Sequence, residues 1–534
     1  LVCFHLISRG TRRSLGEKGA KSRLSPLSPM YSPRMTRSLS CLCIALAALL
    51  PLSCDGDDIS DHNATLDDFF PELPLPTGEA QTSFAGAIGT ANADELIPGP
   101  ASSGVLGDYF MRNSKARFVV QAAVPLVGVV PSGGNLVDAV PLAADGSDAS
   151  PDHFGETSFT YQMGRDCTHQ SVEVVRDGSE GGVSVLRARG VTGYNEFVNI
   201  RGFGILPIQN SLVPDLPDSA ECATTYVLEP DSATLKTYFT IFNTGTDPIT
   251  GPMGLLSDTG GEVAVFQPRT GFTRLGEIAD AIDGGDSPTP YMVWQGPDVA
   301  YGIMPKHEDI NTPIGSVVLL GVSVFMFNVE SFLDALRPEV NKFFAINSRQ
   351  GFSFEVDIFA GRDAAEVEKE FLTLRDVETA PLSGMVSWND GGGVAGARVG
   401  IFEDTNGSGD VDDDDIVVSY VNCQADGSYE AAIAPGDYLL RAEVVGKARS
   451  SAVSLSTANA ESSANLSLDR PVSYDFRIVD DGNADAIIPA RITVIGSHPL
   501  PTYSSTLGDF DIYYVFVTTV IAKRGTTTDI GNGA

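Results

Sequence analysis

A twelve-residue acidic segment, DTNGSGDVDDDD, is the part of this sequence whose residue types and spacing best suit a chemical role. Aligned with a 12-residue calcium loop, it places oxygen-bearing side chains at positions 1, 3, 5, 9 and 12, and glycine at the sharp turn of position 6. Calcium takes six to eight hard oxygen ligands, one of them the backbone carbonyl at position 7. The predicted ligands are Asp404, Asn406, Ser408, Asp410, Asp412 and Asp415.

Two features of this loop leave a second interpretation open. Position 12 is Asp415 rather than the usual bidentate Glu, although dockerin-type loops also use Asp there. The flanking segments ARVGIFED and IVVSYV have the alternation of strands, not of the helices that flank an EF-hand. Calcium is the one cofactor that the sequence predicts, and the alternative is a solvated acidic loop that joins two strands.

The segment Met35–Cys54 has the layout of an export signal. Arg37 supplies a basic start, and residues 41–52 form an apolar run. This run is too short to cross a bilayer, which takes about 20 helical residues. Ser53 and Cys54 close the segment, and the chain then turns acidic at once. The arrangement resembles a bacterial lipoprotein signal, in which the cysteine carries lipid and becomes the mature N-terminus. The alternative is ordinary secretory cleavage nearby.

The signal predicts how the N-terminal region is processed. We expect residues 1–34 to be an upstream extension outside the natural protein, and residues 35–53 to be removed. Cys54 would then attach the chain to a membrane through its lipid. The predicted location is the bacterial cell envelope, at the periplasm or the cell surface.

Four cysteines remain after the signal: Cys54, Cys167, Cys222 and Cys423. A disulfide is chemically allowed in an exported protein. Cys167 and Cys222 each precede a strand-like run, which makes a disulfide between them plausible. Two free, half-buried thiols are the alternative, and Cys423 would be left over.

Charge and motifs exclude several classes of function. The formal net charge of −34 becomes about −41 when residues 1–53, with eight basic and one acidic residue, are removed. Nucleic-acid binding requires clustered positive charge, so no nucleic acid is expected as a partner. The sequence contains no Gly-x-Ser-x-Gly, His-Glu-x-x-His, paired Cys-x-x-Cys or P-loop signature. No catalytic centre is therefore predicted in this chain.

The elements that would position these residues are mostly strands. Residues 101–378 contain ten or more alternating or β-branched segments separated by Gly, Pro, Asp and Asn, which predicts one large antiparallel β-sandwich-type domain. Helical periodicity is convincing at 364–375 and weaker at 330–338. Residues 54–100 are acidic, rich in Pro and Gly, and predicted to be a disordered linker.

The remainder of the chain continues the β pattern. Residues 380–470 show short strands at regular spacing, the pattern of a small β-sandwich. Residues 471–534 predict an incomplete third β segment. Trp294 and Trp388 could form a sugar-stacking platform, although a core role is the more ordinary one. The predicted fold class is mainly β.

Several stretches resemble known exported proteins. LGDYFMRNSKARFVVQ (106–121), GGNLVDA (133–139), ATTYVLEPDSATLKTYFTIFNTG (223–245) and GGEVAVFQPRTGF (260–272) resemble the N-terminal β-domain of large exported proteins of myxobacteria and their relatives. LSGMVSWNDGGGVAGARVGIFEDTNGSGD (382–410) and CQADGSYEAAIAPGDYLLRAEV (423–444) resemble carboxypeptidase-regulatory-like, or Cna-B-like, sandwich domains. IPARITVIG (488–496) resembles the segment that follows such domains.

Proteins of this layout often continue into a PHP-type metallohydrolase domain of the CehA/McbA family. Such a domain needs His-x-His and further ligands for two or three divalent ions, and none of the six histidines here forms that motif. The predicted function is an exported cell-surface lipoprotein of β-sandwich modules with a structural or binding role toward a glycan or protein. The alternatives are the non-catalytic N-terminal portion of a PHP-type hydrolase and a hydrolase whose site lies in the large β-domain.

Overall fold

The computed structural model describes residues 63–522 with gaps, and the structural statements below concern these residues. The gaps are 125–129, 131, 162–164, 195–219, 252, 259–262, 270, 273–288, 307–313, 320–321, 328–343, 413, 445–447, 458–460, 471–478, 481–482, 488–489 and 494–518. The predicted upstream extension, the signal, Cys54 and the 330–338 helix lie outside the described residues. Among the residues described, no helix has the length and apolar character needed to cross a bilayer.

The first β unit is built from long antiparallel strands. Its described strands are β1 (Phe84–Ala87), β2 (Tyr109–Arg112), β3 (Ala116–Val120), β4 (Leu136–Pro141), β5 (Thr157–Tyr161), β6 (Arg165–Arg176), β7 (Ser184–Tyr194), β8 (Ala220–Leu228), β9 (Thr234–Asn243), β10 (Ile249–Gly251), β11 (Met253–Asp258), β12 (Ala264–Gln267), β13 (Gly271–Phe272), β14 (Met292–Gln295), β15 (Ala300–Lys306), β16 (Ile314–Leu319), β17 (Val322–Phe327), β18 (Phe344–Ile346) and β19 (Gly351–Gly361).

Hydrogen bonds link the strands of the first unit mostly in chain order. Strands β1 to β9 pair successively. Strand β9 then pairs with β19, β19 with β15, β15 with β14, and β14 with β12. Strand β11 joins β5 to β17, which pairs with β16. All of these pairings are antiparallel, as the hairpin-rich sequence predicts.

Alternation along β19 shows how the core forms. Phe354, Val356 and Ile358 are at most 2% exposed and belong to the main apolar cluster, with Trp294 and Tyr226 from other strands. The intervening residues point to the opposite face, because successive side chains of a strand alternate. The large unit therefore has the β-sandwich character that the sequence predicts.

The second β unit is a small sandwich of two sheets. Its strands are β20 (Ala380–Trp388), β21 (Arg398–Glu403), β22 (Ile416–Asn422), β23 (Ser428–Ile433), β24 (Asp437–Val444), β25 (Ala448–Arg449), β26 (Val453–Ser456), β27 (Ser462–Ser463) and β28 (Leu466–Leu468). One sheet pairs β20 with β23, β27 and β28, and the other has the order β22-β21-β24 with β25 and β26 on β24. Beyond Arg470 lie two short pairs, β29 (Val479–Asp480) with β30 (Asn483–Ile487) and β31 (Ala490–Thr493) with β32 (Thr519–Ala522).

Helix α1 (Ala364–Thr373) lies between the two units and ends two residues before the predicted bound. Asp363 caps it and is fully buried. One carboxylate oxygen of Asp363 accepts a hydrogen bond from Glu366 N (3.1 Å), which satisfies an otherwise unpaired donor of the first turn. The other accepts from Asn422 N of β22 (2.9 Å), so the cap also binds the small sandwich.

Both units contribute to one apolar cluster around this helix. The first unit supplies Phe266, Phe272, Tyr291, Val293, Ala300, Met304 and Phe359, the helix supplies Ala364 and Val367, and the small sandwich supplies Phe402, Val411, Val417, Tyr420 and Leu439. A backbone hydrogen bond from Arg269 N to Val417 O (2.8 Å) crosses the same contact. The predicted domain boundaries near 378–380 and 470 stay predictions.

Residues 63–83 form an ordered N-terminal segment, here called the strap, which lies across the large unit. Leu66 is 4% exposed, and the Phe69 ring stacks on Phe242 at 5.6 Å. The Phe70 ring lies 3.7 Å from the Arg187 guanidinium carbon, and Gly78 N donates to Glu180 O (3.0 Å). The prediction that 54–100 is a disordered linker is therefore wrong for residues 63–100, because partners distant in sequence supply the apolar contacts that the segment itself lacks.

Candidate functional site

Strands β21 and β22 position the acidic loop of residues 404–415. They pair antiparallel, with Arg398 opposite Asn422 at one end and Glu403 opposite Ile416 at the other. The register shifts between Ile401 and Phe402. The loop leaves β21 at Glu403 and returns at Ile416. The sequence-predicted ligands are thus carried on a connection between two strands, as the flanking pattern indicated.

The first half of the loop folds around Asp404. Its carboxylate accepts backbone hydrogen bonds from Gly407 (2.6 Å), Ser408 (3.1 Å) and Gly409 (2.9 Å). Gly407 and Gly409 have φ values of 72° and 74°, the left-handed region that residues with a Cβ rarely adopt. Two glycines are therefore needed for the chain to turn around one carboxylate.

The second half of the loop gathers carboxylates around Asn406. Its Nδ2 donates to both carboxylate oxygens of Asp412 (3.1 and 3.0 Å) and to Asp414 Oδ2 (3.5 Å). Asp415 accepts from Asp412 N (2.8 Å) and Thr405 N (3.4 Å). Asp414, at position 11, was not among the predicted ligands, because no side chain is expected there in the calcium-loop pattern.

The remaining predicted ligands bond to each other. Ser408 Oγ donates to the Asp410 carbonyl oxygen (2.7 Å), and Asn406 Oδ1 accepts from Ser408 N (2.8 Å). The Asn406 hydrogen bond lowers the pKa of Asp412, whereas burial raises the pKa of Asp415. Within the described ranges, no group of three or more His, Cys, Asp or Glu side chains is placed to hold a metal ion. The Asn406 amide nitrogen bridges the carboxylates of Asp412 and Asp414.

The base of the loop belongs to the contact between the two β units. Val411, at apolar position 8, is 7% exposed and packs in the shared cluster. Arg441 Nη1 donates to the Val411 carbonyl oxygen (3.1 Å), and its guanidinium lies 5.7 Å from the Phe402 ring. A change in loop conformation that moves Val411 would therefore change the packing of the shared apolar cluster.

Cys167 and Cys222, the predicted disulfide pair, are joined in the structure. Their Cα atoms are 5.9 Å apart and both residues are at most 2% exposed. The bond links β6 to β8, which both pair with β7. Cys423 is a partly buried free thiol, and burial raises its pKa to about 12.

Two buried aspartates hold the loop between β1 and β2 through their side chains, and a third, Asp152, holds it through its backbone, a role that the sequence did not indicate. The Asp138 carboxylate accepts from Ser103 N (2.7 Å) and Gly104 N (3.0 Å), and Asp108 accepts from Val105 N (2.8 Å). Asp152 Oδ1 accepts from the backbone nitrogens of Ala139 and Phe154, both at 3.1 Å. Burial, followed by the charge of Asp138, raises the pKa of Asp152 to about 8.

His169 is a satisfied core histidine. Its Nδ1 lies 2.9 Å from Gly133 O and its Nε2 lies 3.1 Å from Thr224 Oγ1. Burial lowers its pKa to about 4, so the ring is neutral at neutral pH. Both ring nitrogens are occupied by structural partners, which suits a role in packing the Gly133–Gly134 turn rather than in chemistry.

The two tryptophans do not form a shared sugar-stacking surface. Trp294 is 0% exposed in the core of the large unit. Trp388 packs partly buried against the core of the small sandwich, with the Arg470 guanidinium 5.1 Å from its ring. A groove of about 390 Å³ lies elsewhere, between the strap and the β6–β7 turn, lined among others by Pro76, Val174 and Glu180.

Comparison with known proteins gives no family for this chain. No family model and no curated protein matches it. Similar solved structures include a structural genomics target from Synechocystis sp. PCC 6803 (TM-score 0.28, 9% identity, covering 50% of this chain and 99% of that one). A second is a galactose mutarotase-like protein from Clostridium acetobutylicum (TM-score 0.25, 8% identity, covering 48% of this chain and 96% of that one). A third is a DUF3823 family protein from Parabacteroides merdae (TM-score 0.14, 14% identity, covering 23% of this chain and 54% of that one). Scores of this size carry no argument about function.

Proposed function

We propose that this chain is an exported lipoprotein, anchored through Cys54, whose two β units form one rigid body with a structural or ligand-binding role. The observation that carries the proposal is the cluster shared by Phe272, Val367 and Tyr420, which joins the large unit, the helix and the small sandwich. A buried apolar contact of this kind resists hinge motion, whereas units on a linker move independently. The buried Cys167–Cys222 disulfide is consistent with an oxidising compartment outside the cytoplasm.

Anchoring is tested by expressing the full chain in a bacterium with radiolabelled palmitate. The wild-type protein should carry label and sediment with membranes, and Cys54→Ser should do neither. Cys423→Ser is the matched control, because it removes a different thiol that the proposal leaves unmodified. Soluble, unlabelled wild-type protein would overturn the lipoprotein proposal.

The ligand-binding form of this role is tested with purified mature protein on glycan arrays. The groove beside Val174 offers the space for such a ligand. Val174→Trp should then weaken binding, and substitution of the exposed Met385 of the small sandwich by Trp should not. Absence of binding to any glycan would favour a protein ligand or a purely structural role.

The alternative is that these β units are the N-terminal portion of a PHP-type metal-dependent hydrolase. Its support is the sequence resemblance at residues 382–444 and 488–496. Reading the DNA that follows the codon for Ala534 tests it. An open frame that encodes His-x-His with further His, Asp and Glu ligands would decide for the hydrolase.

A second candidate activity is calcium binding by the acidic loop. The observation that favours it is the Asn406 Nδ2, a positively polarised group held by the carboxylates of Asp412 and Asp414. A divalent cation would take the place of this group. We expect weak binding, with Kd of roughly 10⁻⁴ to 10⁻³ M as in extracellular modules.

Calcium binding is tested by thermal unfolding of the mature chain with millimolar calcium or with chelator. Because Val411 couples the loop to the shared cluster, calcium should raise the midpoint of the whole protein. The Asp404→Ala, Asp412→Ala double variant should lose the shift, and Asp426→Ala in another acidic turn should keep it. An equal shift in all three proteins would mean that the loop is only a solvated connection.

A further inference from the structure

Strand β19 connects two different ends of the molecule. The start of the strap packs on the first residue of β19, Gly351. A Cβ on Gly351 would lie only 2.4 Å from the Phe69 ring, and Arg349 Nη2 donates to Ala64 O (2.7 Å). Two residues after its last residue, Gly361, Asp363 binds the small sandwich at Asn422. Ten residue steps of about 3.3 Å separate Gly351 from Gly361, a span of about 33 Å.

Strand β22 runs in the same direction as β19. Its start contacts the β12–β13 turn through Val417 O and Arg269 N, and its end reaches the β14–β15 turn through Asn422 Nδ2 and Pro297 O (3.4 Å). Ala300, at the far end of that turn, pairs with Gly361. The small sandwich therefore extends past the Gly361 end of β19.

The chain leaves the small sandwich at this far end. The turn after Asn422 reaches Gly427, whose carbonyl oxygen accepts a hydrogen bond from Val386 N of β20 (2.8 Å). Strand β20 continues beyond Val386 to Trp388. Asn389 N then donates to Leu468 O (2.9 Å), and the Arg470 guanidinium nitrogen Nε bonds to Asp390 (2.7 Å). The strap thus enters at one end of the body, and Arg470 exits at the other.

The two turns at the entry end carry little net charge, whereas the strap beside them has the acidic residues Asp67 and Asp68. These two turns, residues 244–248 and 347–350, contain one acidic residue, Asp247, and one basic residue, Arg349, in a chain of net charge −34. Asn243 fixes both turns, because its Nδ2 donates to Asp247 O (2.8 Å) and Ile346 O (2.9 Å). Two polar and nearly neutral turns are suited to lie near lipid head groups without charge repulsion.

Only eight residues, and so nine residue steps, separate Cys54 from Asn63, where the described chain begins. Whatever their conformation, they reach at most about 32 Å. We propose that the entry end, formed by residues 244–248 and 347–350, faces the lipid surface, and that the body acts as a spacer that holds Arg470 and the chain after it away from the membrane. This inference rests on the proposed lipid anchor at Cys54.

The test is energy transfer from a single fluorophore to an acceptor lipid in zwitterionic vesicles that contain the lipidated full chain. In a Cys423→Ser background, the label is placed at the entry end in Thr246→Cys or beyond Asn422 in Ala425→Cys, both exposed positions. We expect at least a threefold higher transfer efficiency from position 246 than from position 425. Unfolding by urea checks that both labelled proteins are folded.

The outcomes separate the orientation from the anchor. Equal transfer from the two positions, or higher transfer from 425, in protein that floats with the vesicles would overturn the orientation and leave the anchor intact. Lipidated protein that fails to float, or floating that persists in Cys54→Ser, would overturn the anchor and the orientation that depends on it. Insertion of about ten residues before Asn63 is the control, and it should reduce the transfer from 246.

Discussion

The contact between Phe272 and Tyr420 predicts that the two β units unfold together. Their ring centroids are 5.3 Å apart, both residues are at most 3% exposed, and Phe266 and Phe402 lie within 6.0 Å of Tyr420. Phe272→Leu and Tyr420→Leu remove the aromatic pair and keep most of the apolar volume. Each should lower the free energy of unfolding by about 1–2 kcal/mol, less than the roughly 3–5 kcal/mol that truncation of a buried aromatic ring to Ala costs.

The decisive quantity is the coupling between these two substitutions. Aromatic pairs contribute about 0.5–1.5 kcal/mol beyond their buried area, so the double variant should lose about 1 kcal/mol less than the sum of the single variants. The assay is urea unfolding of the mature chain, followed by fluorescence, with m-values compared across the cycle.

Tyr429 provides the matched control for this cycle. It is 1% exposed in the small sandwich's own core, where its hydroxyl donates to Ala464 O (2.7 Å). Phe272→Leu combined with Tyr429→Leu should be additive within about 0.5 kcal/mol. Two separate unfolding transitions in the wild type, or additivity for Phe272 with Tyr420, would refute the shared core.

Three further predictions concern other parts of the large unit. Replacing both Cys167 and Cys222 by Ser should lower the free energy of unfolding by about 4 kcal/mol in urea, from the loop-entropy model for a separation of 55 residues. Asp152 has a folded pKa of about 8, above its usual 3.8, so its contribution to stability is complete below about pH 4 and is lost as the pH rises through 8. Asp152→Asn should therefore reduce the fall in urea midpoint between pH 6 and 9, and an unchanged fall would contradict the assignment. Phe69→Ala should cost about 2 kcal/mol by removing the half-buried ring from Phe242, and equal urea midpoints would contradict strap packing.

Much of the β framework follows from local sequence. The runs LKTYFTIFN and FSFEVDIFAG become β9 and β19, and AAEVEKEFLT becomes helix α1. In each case the apolar period is expressed within the segment itself, so the element and its buried face can be derived without knowing the neighbours. The small sandwich follows for the same reason, with Asp426-Gly427 and Pro435-Gly436 as turns.

The strap and the buried aspartates could not be derived in this way. The strap has few apolar residues, and Phe69 is half-buried only because Phe242 and Gly351 lie beneath it. Asp138 and Asp152 lie in strand-like or turn-like sequence, where a carboxylate is expected to be exposed to solvent. Their partners are backbone nitrogens of residues 103, 104, 139 and 154, which only the tertiary structure brings near. The same holds for the helix, whose outward face gives no sign that it packs against a second β unit.

The strap also has a consequence for the order of folding. Ala64 accepts its hydrogen bond from Arg349, 285 residues later in the chain. A chain that emerges N-terminus first therefore exposes the strap long before β19 exists, and the strap is among the last elements to find its place. Contacts of such long sequence separation slow folding, because the chain must close a large loop before it gains any contact energy. The Gly351 end of the large unit is therefore completed only after β19 has emerged, although β1 to β9 can pair earlier in chain order.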